Sequence, residues 1–186
     1  MRLIRTSLDK PVYKEKLRLR AYGTPTDSSP VFLEIKKKYG GVVYKRRVST
    51  DFAQAMRFLT EGIPPESGDY VARQVTAEMT HMIRRDGLIP RAAVFYDRRA
   101  FHGADDPELR LTLDGNIRYR LGDLDLRNGT DGDTIPGQPF RIMEIKSASS
   151  IPLWLAGTLS ELGIHPGSFS KYGSVYKQRF QDLCTT

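Results

Sequence analysis

The strict alternation of cations and apolar side chains over residues 14–22 constrains this chain more than any other feature. Lys14, Lys16, Arg18 and Arg20 fall on one side of an extended segment, and Leu17, Leu19 and Ala21 on the other. A period of two cannot be satisfied by a helix. Residues 31–39 repeat it, with Glu34, Lys36 and Lys38 opposed to Val31, Leu33 and Ile35. Gly40-Gly41 then predicts a tight hairpin into a strand at 42–48. Such strands need a core on one side only, so the pattern implies an antiparallel sheet with one buried and one charged face.

Helical periodicity takes over next. Residues 51–61 form a short helix candidate, with Ser49, Thr50 or Asp51 as its cap. Residues 66–86 form a longer one, with Val71, Val75, Met79 and Met82 or Ile83 on one stripe, Arg84 and Arg85 in the last turn and Gly87 as the stop. Strands are expected again at 91–97, 108–113, 116–120 and 140–146, with Asp114-Gly115 as a hairpin turn between the second and third. Residues 151–162 read as an apolar helix that places Trp154 in the core. A loop at 165–173 precedes a final helix from 174 to about 183. Seven strands with helices between them make an α+β chain, expected as an antiparallel barrel or strongly curved sheet. The loop-like stretches 23–30 and 128–139 are too short for domain linkers, so residues 1–186 read as a single domain.

Composition narrows the function classes. The 186 residues carry 29 Lys and Arg against 22 Asp and Glu, a net charge of +7, with 39% hydrophobic residues. That is a folding composition, and no apolar run approaches the roughly 20 residues of a membrane span. The first ten residues lack the apolar stretch of a secretory signal. One cysteine, Cys184, excludes an internal disulfide and a cysteine-built zinc site, consistent with a cytoplasmic location. His81, His102 and His165 have no ligand-like spacing and read as surface or packing residues. Met79 and Met82 read as helix packing. Asp131 and Asp133, in a glycine-rich stretch, lack the spacing of a calcium loop. Walker, dinucleotide-binding and Gly-x-Ser-x-Gly signatures are absent.

The informative residues are the charges at strand centres: Arg18 and Arg20, Glu34 and Lys36, Arg110, Arg118 and Arg120, Glu144 and Lys146. Like charges opposite one another across a sheet repel. A polyanion on that face relieves the repulsion; long side chains splaying into water are the alternative. Arginine suits phosphate because its planar fork grips two oxygens at once. A carboxylate among such cations either holds a divalent metal that bridges to phosphate or orients a neighbouring Arg. Glu144 fits the first role better and Glu34 the second. Lys37 points away from Lys36 and Lys38 in a strand. Nucleic-acid modules interleave aromatics with cations so that bases stack. Tyr22 and Phe32 are the main aromatics here, which favours phosphate over bases and argues against a nucleic-acid partner. Membrane-surface binding would call for a basic amphipathic helix with an aromatic face, and none is evident.

At these residues the chain resembles a known family. Lys16-Leu-Arg-Leu-Arg20 with Tyr22-Gly23, Phe32-Leu-Glu-Ile-Lys36 and Tyr44-Lys-Arg-Arg47 resemble the VTC domain, the polyphosphate polymerase domain of vacuolar transporter chaperone proteins and their bacterial relatives. Tyr96-Asp-Arg-Arg-Ala-Phe101, Leu109-Arg-Leu-Thr-Leu-Asp114, Ile117-Arg118, Met143-Glu-Ile-Lys146 and Ser168-Phe-Ser-Lys-Tyr-Gly173 follow in the same order. The resemblance implies a triphosphate tunnel metalloenzyme fold, CYTH-like, in which antiparallel strands close into a basic tunnel. It implies transfer of the ATP γ-phosphate onto polyphosphate, with Mn²⁺ or Mg²⁺ as cofactor; the alternative is a non-catalytic polyphosphate or nucleic-acid binding module, or a triphosphatase of the same superfamily. Carried across, Arg18, Arg20, Lys36, Arg110 and Arg118 correspond to the catalytic tunnel wall. Arg98, Lys146 and Lys171 correspond to phosphate contacts, and Glu144 to a metal ligand. A second basic residue of the family pattern is replaced by Ser168. The Glu-Arg-Lys-Tyr and Tyr-Phe-Asp motifs of the family's first strands are missing, so the sequence reads as an N-terminally shortened member. Self-association through the sheet edge thus left open is an accompanying expectation.

Overall fold

The computed structural model describes residues 11–135 and 141–184, with side chains through 178. The chain divides into two compact units, residues 11–93 with 121–130, and residues 94–120 with 131–135 and 141–184.

The first unit holds β1 (Tyr13–Arg20), β2 (Pro30–Tyr39) and β3 (Val42–Asp51), followed by α1 (Phe52–Glu61) and α2 (Tyr70–Asp86). The strands form a three-stranded antiparallel meander in the order β1-β2-β3. Gly40 and Gly41 close the β2–β3 hairpin at φ of 52° and 90°, a turn that needs residues free of a Cβ. Register pairs Leu19 with Leu33 and Leu33 with Val48, so apolar positions line up across all strands. This face packs on the helices: Val31, Leu33, Ile35 and Val48 bury against Phe52, Ala55 and Phe58 of α1 and Val75, Met79 and Met82 of α2. Each large side chain removed from water there contributes about 1.5–3 kcal/mol.

Of the three expected caps for α1, Asp51 is the one used, accepting from the Gln54 amide at 2.7 Å. Asp69 caps α2 through the Val71 and Ala72 amides, and Gly87 ends it at φ 57°. Val71 falls short of the expected buried stripe because it lies in the first turn, where it is 58% exposed. Lys37 points to the helix side, as its position requires. There Glu15 is buried, bonded by Tyr13 Oη at 2.5 Å, by Lys37 at 3.3 Å and by Arg85.

The second unit holds β4 (Ala93–His102, from Val94 onward), β5 (Arg110–Arg120), β6 (Asp133–Thr134), β7 (Ile142–Lys146), α3 (Leu153–Glu161) and α4 (Lys171–Cys184). A 3₁₀ turn at Leu126–Asn128 belongs to the first unit. β5 is central: it pairs with β4, with β7 over Arg110–Asp114 and with β6 at Arg118 and Tyr119.

Three expectations are corrected here. Among the described residues the strands form two open sheets and no closed barrel. The expected hairpin at Asp114-Gly115 does not exist: both residues are buried inside the continuous strand β5. A turn would expose the Asp114 carboxylate, whereas here it is neutralised by cations within the fold. Trp154 is not core; it stands 65% exposed on α3, where only Leu155 is buried. The apolar composition of that helix gave no periodicity from which to read an inner face.

The α+β class and antiparallel pairing agree with expectation. No described helix is long and apolar enough to cross a membrane. Replacing Leu33 with Ala is expected to cost about 3 kcal/mol in urea unfolding, from lost transfer energy and the cavity left behind. Trp154→Ala should stay within about 0.5 kcal/mol of the parent.

Candidate phosphate-binding faces

Register on the polar side of the first sheet sets the cations in rows. Lys16, Lys36 and Lys45 lie side by side, and so do Arg18, Glu34 and Arg47. Lys14 pairs with Lys38 on one flank and Arg20 with Phe32 on the other. The carboxylate Glu34 stands in the middle and is only 3% exposed. Arg18 donates to Glu34 Oε2 at 2.5 Å, Lys45 lies 3.5 Å from Oε1, and Arg20 lies at 4.0 Å. Burial alone would raise the Glu34 pKa. The hydrogen bond from Arg18 and the charges of Arg18, Lys45 and Arg20 reverse this and hold it below the usual range. Glu34 therefore acts in the orienting role: it fixes the guanidinium of Arg18 and draws Lys45 and Arg20 toward it.

The second unit has a comparable centre. Asp114, 2% exposed, accepts two bonds from Arg98, at 2.6 and 2.7 Å. It also accepts one from Lys171 Nζ at 2.6 Å. Both cations lie over the Tyr96 ring, Lys171 at 4.5 Å and Arg98 at 5.3 Å. Glu144 sits beside this group, 3.9 Å from Arg98 and 3.3 Å from Lys146. Register places Arg110 opposite Lys146 and Thr112 opposite Glu144, so these residues share the Asp114 face. Burial pushes the Asp114 pKa up, and the bonds from Arg98 and Lys171 outweigh it and lower it. The Asp114 bond in turn raises Arg98 above the ordinary guanidinium range.

Arg118 is placed apart from Arg110. Neighbouring residues of a strand point to opposite faces, so Asp97 and Arg98 report the two faces of β4. Arg98 meets Asp114, whereas Asp97 meets Asn116 at 2.6 Å and Arg118 at 3.4 Å. In an unbroken strand, residues 114, 116 and 118 would share a face. The alternation is reset at Asn116, whose backbone turns left-handed at a φ of 49°. Arg118 consequently lies on the face opposite Arg110, Arg98 and Lys171, and Arg120 packs over the Phe95 ring at 4.9 Å.

Of the residues expected at the site, Arg18, Arg20 and Lys36 are brought together in the first unit. Arg98, Arg110, Glu144, Lys146 and Lys171 come together in the second. Lys45 and Arg47 join the first group; their alternation within 42–48, opposite Lys36 and Glu34, was the available signal. The role of Asp114 is hidden in the sequence, because Asp-Gly reads as a turn when strand pairing is unknown.

Among the described residues no three His, Cys, Asp or Glu side chains converge into a ready-made metal cage. Glu144, half exposed and flanked by cations, fits a different mode. In that mode a hard divalent ion takes one carboxylate and completes its shell with phosphate oxygens and water.

The chain belongs to the VTC domain family, which matches residues 1–180. Membership gives it a polyphosphate-related role in the tunnel-enzyme superfamily. No curated protein matches the chain.

The buried carboxylates Glu34 and Asp114 make stability depend on pH in a defined direction. Both are ionised in the fold at a lower pH than in the unfolded chain, so the unfolded state binds protons first. Their stabilisation is complete above the unfolded values, near pH 4, and is lost as pH falls through the lower folded ones. Urea midpoints should therefore drop below about pH 4. Asp114→Asn should be less stable at neutral pH and show a shallower acid drop; an unchanged drop would remove Asp114 from this account.

Proposed function

We propose that this protein is a metal-dependent polyphosphate polymerase, transferring the γ-phosphate of ATP onto a polyphosphate chain in a basic tunnel of the kind its family implies. The observation that carries this reading is the set of Arg and Lys rows on the first sheet, held side by side around the buried Glu34. Such rows are self-repelling when empty and are relieved by a linear polyanion. Family membership supports the same ligand class.

Phosphoryl transfer needs alignment and charge neutralisation more than covalent help from the protein. Arg18, Arg20 and Lys36 bind phosphate oxygens, with Arg18 oriented by Glu34. Arg98, Lys171 and Arg110 do the same on the second face, with Asp114 fixing the first two. The attacking group is a terminal phosphate oxygen of the acceptor chain. It bonds to the γ-phosphorus as the bond to the β–γ bridging oxygen breaks, and its electrons leave with ADP. The acceptor oxygen is already an anion, so no strong general base is required. Glu144, with phosphate oxygens, would hold Mn²⁺ or Mg²⁺. A divalent ion held there would offset charge on the transferring group.

The test supplies ATP, Mn²⁺ or Mg²⁺ and a short polyphosphate primer, and resolves the products on a gel. Chain growth that requires the metal and disappears in Glu144→Ala is expected. Growth that persists in that variant counts against the metal role of Glu144. Arg18→Ala and Arg110→Ala should each weaken tripolyphosphate binding by calorimetry about ten-fold or more, the scale of a lost charge-assisted bond. Unchanged affinity in both would overturn the assignment of these faces.

A further inference from the structure

One feature of the first sheet is not used by phosphate binding. At the Arg20 end of the cation rows, Tyr22 and Phe32 meet edge to face, with ring centroids 6.1 Å apart. Arg20 lies over the Tyr22 ring at 5.0 Å, and Arg47 over the Phe32 ring at 4.9 Å. Tyr22 is 68% exposed even so, leaving ring surface open to solvent. A large aromatic side chain held out in water, backed by a guanidinium and adjoining a phosphate-binding surface, suits a planar base attached to phosphates.

We infer that Tyr22, supported by Phe32 and Arg20, is a stacking platform for the base of a nucleoside triphosphate whose phosphates run along the cation rows. This rests on the phosphate reading of that face and adds to it the subsite and the polarity of the donor. Successive rows are two residues apart along the strands, about 7 Å. The base sits at the Phe32 row. The phosphates extend past Arg18 and Arg47 toward Lys16, Lys36 and Lys45. A mononucleotide is favoured over a nucleic-acid strand because on the cation-bearing face the aromatics occur at one end only; the Tyr13–Tyr39 pair at the other end of the sheet lies on the side of Glu15 and Lys37. A strand binder repeats them along the cation track, whereas the Lys16–Lys36–Lys45 row contains no aromatic.

Calorimetry on the full chain, with ATP and inorganic tripolyphosphate as probes, tests this. Tyr22→Ala should weaken ATP about ten-fold, the scale of a lost base–aromatic stack, and leave tripolyphosphate within two-fold of the parent, about the scatter of a neutral surface change. Retained tripolyphosphate binding also shows that the variant is folded. Tyr22→Phe should keep parental ATP affinity, since the ring and not the hydroxyl is used. Equal losses for both probes, no loss for ATP, or a Phe variant as weak as the Ala variant would overturn the platform alone. A parent that binds neither probe would overturn the phosphate reading and the platform together. A Tyr22→Ala variant that loses affinity for an oligodeoxyadenylate but not for ATP would assign the platform to nucleic acid instead.

Discussion

Glu34 lies beneath Arg18, Arg20 and Lys45 on the charged face of the first sheet, and the rest of that surface depends on it. Strand register forces Lys16, Lys36 and Lys45 into one row and Arg18 and Arg47 into the next. Without a compensating charge, such neighbours would push the strands apart or drive the side chains into water. A single buried carboxylate draws the adjacent guanidinium and ammonium groups inward and leaves the outer cations standing. Its own desolvation is offset by the bonds it accepts, which is why its pKa falls although it is buried.

The second unit arrives at the same device from different elements. Asp114 comes from the middle of β5, Arg98 from β4 and Lys171 from the start of α4. In both units one carboxylate serves more than one cation, so each centre retains positive charge toward an incoming anion. Removing either carboxylate would not create a stronger anion site. It would release cations that are now pre-positioned, and their ordering would then fall on the ligand.

Much of the fold was legible in the sequence. Alternation located β1 to β3, paired glycines located the hairpin, and the 3.6-residue period together with Asp69 and Gly87 located α2. The cations on β1 and β2 were legible for the same reason, because period-two patterning assigns each side chain to a face. Legibility ended at β5. Asp-Gly is a strong turn signal by itself, and only the pairing of β5 with β4 and β7 shows that the chain runs straight through it. The left-handed torsion at Asn116 then reverses the face of Arg118, an effect that no periodicity carries.

What the sequence determined by itself is the chemistry: a basic chain that alternates Arg and Lys with apolar residues along its strands, with carboxylates spaced among them. That information is local, written in the residue types and the two-residue period. What only the tertiary structure decided is which charges meet. Glu34 reaches Arg18 across the β1–β2 pair, Asp114 reaches Lys171 across 57 positions of sequence, and Trp154 stands in solvent despite its apolar neighbours. These outcomes depend on strand register, on a single left-handed torsion and on where a helix docks, all of them set by packing between segments far apart in the chain.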